Sequence, residues 1–310
     1  MAVPVQPSSL AHPLPPPVEG SPFEHPRYKE IETYLRGFAD KPKPDQWQEW
    51  WQREMSRIHL LILSMLERVY RFAAFAKESD DVLNFLAYAE ISVGQVYNHH
   101  ALEEVKIFPA FAKAAGEDLW EGNVAQHHAF APALDALWNH LHTLSYNLSP
   151  PKSKSRSPFP ALPSEVSSID LSQFPLLSAA PTSYDPTMIR NHMDSFVLVL
   201  AEHLHDEIDS LHPDKIEKVG KKEDERIRSD VLAHLKKYDP AWFLCAAMNR
   251  QVAHPPLPHP ACLPNEEIKK ALPLPWIVRR VLVPFVFGPK HAGAWRYAPY
   301  PENLTWSGSA

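Results

Sequence analysis

The sequence predicts an all-α protein: an up-down four-helix bundle, followed by a fifth, heavily charged helix and an irregular C-terminal cap. Three observations predict this class. Long segments repeat their apolar residues at helical spacing. A Pro- and Ser-rich stretch interrupts these segments without any period of its own. The chain has 310 residues and is 45% hydrophobic, so it can bury a large core.

Composition and charge pattern exclude several classes of protein. Two cysteines cannot form a disulfide scaffold and are typical of a reducing, cytoplasmic compartment. Charged residues interrupt every long apolar stretch, so no membrane span is expected. The N-terminus lacks the basic and apolar regions of a secretory signal. A formal net charge of -6 argues against nucleic acid as a partner.

Proline-rich stretches separate the predicted parts of the chain. Residues 1–27 hold eight prolines and little periodicity, which predicts a disordered leader. Residues 28–238 form the predicted bundle, with a mostly unstructured insertion at about 149–186. Residues 239–310 form a Pro- and aromatic-rich extension that we expect to pack on the bundle. Within the bundle we expect helices at about 45–77, 82–108, 118–146, 187–211 and 214–238.

Each predicted helix rests on its own pattern. Pro44 and Asp45 are typical of a helix start, and apolar residues then recur at amphipathic spacing. The second helix follows the polar stretch that ends at Asp81. The third carries an apolar stripe and also Pro132, which we expect at a kink or in an early turn. The fourth has too few inward apolar residues to stand without the first three. The mixed charges of 214–238 are typical of a solvated helix face.

Matching motifs stand at the ends of the second and fourth helices: HHALEEVKIFP starting at His99, and HLHDEIDSLHP starting at His203. In each motif a glutamate follows the histidine by four residues and a proline follows it by ten. Residues i and i+4 share a helical face, so an imidazole and a carboxylate can reach one metal ion. The proline is expected to end or kink the helix beyond them. The motifs predict ligand pairs of His99 with Glu103 and of His203 with Glu207.

The first and third helices each offer one histidine on the apolar stripe, His59 and His127. A lone histidine on such a stripe is usually structural. Four histidines and two carboxylates converging in a core need compensation, because each unpartnered group costs several kcal/mol, and a cation provides it. Imidazole with carboxylate suits iron or manganese better than structural zinc. Six ligands from four helices suit a pair of ions.

Two registers stay open at this point. In the second helix, His100 with Glu104 is an alternative pair at the same spacing. The offset to Pro109 favours His99 with Glu103, because it equals the offset of the fourth-helix pair to its own proline. In the third helix, His128 is an alternative to His127. His127 is favoured because Phe130 and Leu134 follow it at helical spacing on the apolar stripe. His192 shares a face with the fourth-helix ligand but lies eleven residues away, too far along the helix to bind the same ion.

These motifs resemble the hemerythrin-like proteins of the HHE cation-binding family, which are four-helix bundles with a non-haem di-iron centre. The resemblance covers about residues 45–148 and 187–213. It implies that four histidines are terminal iron ligands and that two glutamates bridge the irons, namely His59, His99, His127 and His203 with Glu103 and Glu207. The implied cofactor is two Fe ions, with Mn as the other possibility.

The chain departs from the oxygen carriers of that family at two places. The carriers have a further histidine one turn from the third-helix ligand, where this sequence has Asn123 and Ala131. In those carriers the histidine and the acidic residue of the fourth helix are also one residue further apart than His203 and Glu207 are in this sequence. The resemblance therefore points to the four-His, two-Glu members, which are implicated in iron sensing, iron-centre repair and oxidative chemistry.

The expected partner is dioxygen or another small diatomic ligand, bound or reduced at the di-iron centre. Two alternatives remain. One is an oxidase or oxygenase acting on a small organic metabolite, with the insertion and the aromatic tail as a lid over its pocket. The other is a non-catalytic sensor of iron or oxygen, in which metal loss unfolds the bundle.

Overall fold

The computed structural model describes residues 14–77, 79–148, 183–235, 292–295 and 297. All regular secondary structure in these ranges is helical, which confirms the all-α class. Among these residues, no helix combines the length and the hydropathy that a membrane crossing requires. The α-helices are α1 (Pro26–Ala39), α2 (Trp50–Phe72), α3 (Ser79–Leu102), α4 (Phe108–Ala115), α5 (Glu121–Leu148), α6 (Pro186–Asp194), α7 (Val197–Ser210), α8 (Pro213–Val219), α9 (Lys221–Leu235) and α10 (Ala292–Trp295).

Four of these helices surround a common core: α2 packs on α3, α3 on α5, α5 on α7, and α7 on α2. Neighbouring helices run antiparallel, as the contacts between α2 and α7 show. Near the start of α2, Gln52 donates to the carbonyl of Ile208, and further along it His59 donates to the carbonyl of the earlier Leu204. This up-down order brings the middle of α2, the end of α3, the beginning of α5 and the second half of α7 to one level.

The helix α1 was not predicted, and it packs on α2 and α7. Its Ile31 and Leu35 are fully buried, and Arg27 forms two 2.6 Å hydrogen bonds to the Glu202 carboxylate of α7. Phe23, just before α1, is 1% exposed. The prediction of a disordered leader over residues 1–27 is therefore wrong for its final part, because that part buries apolar surface. Residues 1–13 lie outside the described residues.

Pro109 does not end the helical path, although an end was one of the two outcomes expected, beside a kink. The chain passes from α3 through a π-helical turn, Glu103–Ile107, directly into α4. Within this turn the backbone N–H of Phe108 donates to the carbonyl of Glu103, five residues earlier. Pro109 has no N–H to donate, and the wider π turn accommodates that missing bond. At the matching position after α7, the helix does end before the proline, and Pro213 opens α8.

Two of the predicted helices are each divided in the structure. The one expected at 187–211 consists of α6 and α7, with a break at residues 195–196. The one expected at 214–238 is divided at Gly220, whose φ of 80° lies in the left-handed region that favours glycine. The third helix continues through Pro132 without ending.

Most of the predicted insertion and of the C-terminal extension lies outside the described residues. The described part of the extension, α10 and Tyr297, lies against α2 and α3. Tyr297 is 2% exposed, and its ring packs at 5.2 Å from that of Phe72 and 5.5 Å from that of Phe85. This short segment therefore covers the end of the bundle at which α2 ends and α3 begins.

Candidate metal centre

All six side chains predicted as ligands lie in one buried cluster between the four central helices. None is more than 9% exposed. His59 comes from α2, His99 from the end of α3, His127 from α5 and His203 from α7, with Glu103 in the π turn and Glu207 one turn after the α7 histidine. The antiparallel order of the helices explains this convergence of positions that are far apart in the sequence.

The four histidines form two pairs. The Nε2 atoms of His59 and His99 are 3.1 Å apart, and those of His127 and His203 are 3.0 Å apart. Two nitrogen ligands at adjacent positions of one ion, each about 2.1 Å from it, are separated by about 3 Å. The spacing within each pair therefore fits two imidazoles that share one ion.

The two carboxylates lie between the histidine pairs. Oε1 of Glu103 is 3.0 Å from Nε2 of His99, and its Oε2 is 3.8 Å from Nε2 of His127. Glu207 faces the other member of each pair. Its Oε2 is 3.3 Å from Nε2 of His59 and 3.6 Å from Nε2 of His203. Each carboxylate thus faces both pairs, which is the placement that a bridging ligand needs.

The four carboxylate oxygens have no hydrogen-bond partner, although both side chains are fully buried. A buried carboxylate without a partner costs several kcal/mol. Two of them side by side cost more, because their charges repel each other. A cation between the histidine pairs would offset both costs, so the donor set fits a metal.

The imidazoles point their unprotonated nitrogens towards the carboxylates. Nδ1 of His59 donates to the carbonyl of Leu204 at 2.8 Å, and Nδ1 of His203 donates to the side-chain oxygen of Gln126 at 3.0 Å. Since these acceptors hold the proton on Nδ1, the lone pair of each neutral ring is on Nε2 and faces the cluster. Nε2 of His203 lies 3.0 Å from Nε2 of His127, whose Nδ1 also donates outward, to Glu104, so these two lone pairs face each other and call for a cation between them.

Glu104, the alternative ligand in the sequence, lies outside the cluster and orients His127. Its side chain is 37% exposed, and its Oε1 accepts from Nδ1 of His127 at 2.6 Å. Carboxylates commonly hold metal-binding histidines in this way, fixing the tautomer and making the ring a better ligand. Sequence reasoning considered Glu104 only as a ligand and missed this role.

His100 lies in the cluster beside His99 instead of replacing it. It is 6% exposed, and its Nε2 is buried without a hydrogen-bond partner. Its ring centroid is 4.4 Å from that of His127, and ligand nitrogens of His100, His127 and His203 all lie within 4.8 Å of one another. The structure therefore adds a fifth imidazole to the predicted set. The HH dipeptide was the signal, since adjacent residues both reach the core when the inner face of a helix is wide.

The remaining candidates lie away from the cluster. His128 is exposed on α5. His192 was excluded as a ligand because it lies eleven residues from His203. In the structure it donates to the carbonyl of Ala133 on α5. Asn123, at a position where the oxygen carriers have a histidine, donates to Oγ of Ser210 at 2.7 Å.

Burial keeps three histidines of the cluster neutral, namely His99, His100 and His203. It lowers the pKa of His99 and His100 well below the usual value, and neighbouring imidazoles lower it further. Burial also lowers the pKa of His203 to about 3. Burial raises the pKa of Glu103, and the carboxylate of Glu207 raises it further. Neutral imidazole is the form that binds a metal, so the folded site needs no deprotonation of these rings near neutral pH.

The carboxylate of Glu207 is the charged member of the acidic pair. Burial opposes its ionisation, but the net effect of His59, His203 and His99 is to lower its pKa. The pKa of Glu207 is therefore lowered and that of Glu103 is raised, so the two carboxylates differ in how readily they ionise. A bound cation would favour ionisation of Glu103.

Replacing Glu104 with alanine is expected to weaken metal binding about 10- to 100-fold, because His127 loses the acceptor that orients it. Glu104→Gln should lose less, since its amide oxygen still accepts from Nδ1. Competition with a chromogenic chelator measures both affinities. Equal affinity of Glu104→Ala and the parent protein would show that the hydrogen bond to His127 does not tune metal binding.

The chain is similar to one curated protein, named "Dimeric xanthone biosynthesis cluster protein R11", of Cryptosporiopsis sp. (strain 8999). The two are 23% identical over 253 residues, which covers 79% of this chain and 77% of that protein. No family model and no solved structure matches the chain. The resemblance to hemerythrin-like proteins therefore stays a prediction.

Proposed function

We propose that this chain is a hemerythrin-like protein that holds two non-haem iron ions and binds or reduces dioxygen at them. Manganese is the other metal that the donor set suits. The observation that carries the proposal is the set of four unpartnered, buried carboxylate oxygens, three of which lie within 3.8 Å of a histidine Nε2 atom. Their energetic cost is explained if two cations lie among them.

The donor geometry supports an assignment of ligands to the two ions. His59 and His99 would hold one ion. His127 and His203 would hold the other, and His100 is close enough to these two to join them. The carboxylates of Glu103 and Glu207 would bridge the ions, because each faces both histidine pairs.

When bound, two ferrous ions supply the electrons for the reduction of dioxygen. The chain contributes fixed ligand positions and buries the carboxylates. The outward hydrogen bonds of His59, His127 and His203 keep the rings in one orientation and one tautomer. Burial excludes bulk water from the carboxylates, since Glu103 and Glu207 are both 0% exposed.

Metal analysis with absorption spectroscopy tests the proposal directly. Protein purified after iron loading should contain two irons per chain. It should show an oxo-bridge charge-transfer band in air that disappears on anaerobic reduction. His59→Ala should lose at least one iron, and the exposed His128→Ala should lose none. An iron-free protein that also takes up no manganese would contradict the proposal.

A second candidate function is oxidation of a small organic substrate at the same centre. The name of the similar protein, which refers to dimeric xanthone biosynthesis, favours this alternative. An oxidase should consume oxygen over many turnovers when it is given reductant and a phenolic substrate. A carrier should bind oxygen reversibly, and a sensor should show only a loss of stability on chelation.

Acid is expected to destabilise the metal-free protein. The folded state holds His99, His100 and His203 neutral because burial lowers their pKa, whereas the unfolded chain protonates them near pH 6.5. As the pH falls below 6.5, the unfolded state gains protons that the folded state does not, and stability decreases by about 1.4 kcal/mol per pH unit for each such ring. Urea denaturation at pH 7, 6 and 5 measures this slope. His100→Phe should reduce it, and an unchanged slope would contradict the explanation.

A further inference from the structure

The two sides of the donor cluster differ in polarity. Towards the end of the bundle where α2 ends, the residue one turn from each histidine is apolar and at most 1% exposed, namely Ile62, Val96, Phe130 and Leu200. Towards the other end, three of the four helices present buried polar residues, namely Gln52 and Ser56 of α2, Asn123 of α5 and Ser210 of α7. One side of the cluster is therefore dry and the other can hydrogen-bond.

The polar residues on that side form a partly connected network. Asn123 donates to Oγ of Ser210, which itself donates to the backbone carbonyl of Glu207 at 2.7 Å. Ser56 differs from these residues, because it is 0% exposed and its Oγ has no hydrogen-bond partner. A buried hydroxyl without a partner is costly, and it calls for a ligand or a water that completes it.

Ser56 is placed between the cluster and the protein surface. It lies three residues before His59 on α2, so it shares the face of that ligand and is about 4.5 Å from it along the helix axis. Gln52, one turn further out, lines a surface cleft together with Lys41, Arg53 and other residues. Gln52 and Ser56 thus form a polar row on α2 between the cleft and the donor cluster.

We propose that water and small hydrophilic ligands reach the cluster on this polar side, from the cleft past Gln52, and that the Ser56 hydroxyl is a hydrogen-bond donor to the bound ligand. The inference rests on the proposed function, because it assumes that the cluster binds metal. Ser56 is a positioning residue for that exogenous ligand. The apolar side, where Phe130 packs at 6.0 Å from the His127 ring, excludes such ligands.

Azide binding to the diferric protein tests the role of the hydroxyl. Ser56→Ala should weaken azide binding about tenfold and shift the azide charge-transfer band, with two irons per chain retained. Ser92→Ala is the matched control, since Ser92 is also 0% exposed but lies on α3 two turns to the apolar side and donates to the carbonyl of Tyr88. Equal azide affinity in the two variants would overturn the proposal.

The access route is tested without metal. Ser56→Val and Gln52→Leu fill the route and should slow deuterium exchange at the imidazole C–H of His59 in the metal-free protein at least fivefold, measured by mass spectrometry. Ser92→Val should leave this rate unchanged. A slower exchange in Ser92→Val, or no change in either route variant, would place access elsewhere. Failure to bind iron would refute the proposed function, whereas the exchange experiment would still decide the route.

Discussion

Replacing Glu103 with leucine is expected to abolish binding of both metal ions and to make the metal-free protein more stable. The two oxygens of Glu103 face different histidine pairs, at 3.0 Å and 3.8 Å, so both ions would lose a ligand. In the metal-free protein the same carboxylate is buried without a hydrogen-bond partner. Leucine removes that cost, so the metal-free variant should gain about 1 to 3 kcal/mol, which is the usual cost of a buried polar group without a partner.

Metal content and thermal unfolding of the metal-free protein measure the two effects. The midpoint should rise by roughly 2 to 4 °C for each kcal/mol gained. Glu104→Leu is the matched control, since this neighbouring glutamate is partly exposed and outside the cluster. It should keep both ions at saturating metal and gain no stability. If Glu103→Leu instead destabilises the metal-free protein, the carboxylate is a structural partner of the histidines and not a site for cations.

Removing the metal from the loaded protein is expected to lower its melting temperature by roughly 8 to 16 °C per ion. Ions that bind only the folded state stabilise it by about 4 kcal/mol each when the free metal is a thousand times its Kd. In a domain of about 200 residues, each kcal/mol corresponds to roughly 2 to 4 °C. The effect should be large here because the four carboxylate oxygens of Glu103 and Glu207 have no hydrogen-bond partner without metal.

Calorimetry before and after chelation measures this change. The exposed-histidine variant His128→Ala should show the same fall as the parent protein. His59→Ala should show a much smaller fall, because one ion has lost half of its imidazole pair. A parent protein whose midpoint is unaffected by both iron loading and chelation would contradict a metal centre at these residues.

The central helices were predictable because their signals are local. Apolar residues at helical spacing predicted α2, α3 and α5 to within about six residues of their observed ends. The helix α1 was missed. Its hydrophobic face is short and becomes meaningful only against α2 and α7, where Ile31 and Leu35 are buried. The division at Gly220 was also missed, since mixed charges on both sides of it look like one continuous helix.

The candidate site was predictable at the level of spacing. A histidine and a glutamate four residues apart share a helical face whatever the rest of the chain does, which placed Glu103 and Glu207 among the candidates. Whether His100 lies inside or outside depends on how wide an arc of α3 faces its neighbours. The role of Glu104 depends on the position of His127, which belongs to another helix.

By itself, the sequence determined the helical class and the pairs of donors that share a helical face, because both follow from periodicity along one chain segment. Only the tertiary structure decided that Nε2 atoms from different helices meet at 3.0 Å and 3.1 Å, that a fifth imidazole joins them, and that one side of the cluster is polar. These features depend on helix order, rotation and depth of packing. Such quantities are set by contacts between distant segments, which no local pattern encodes.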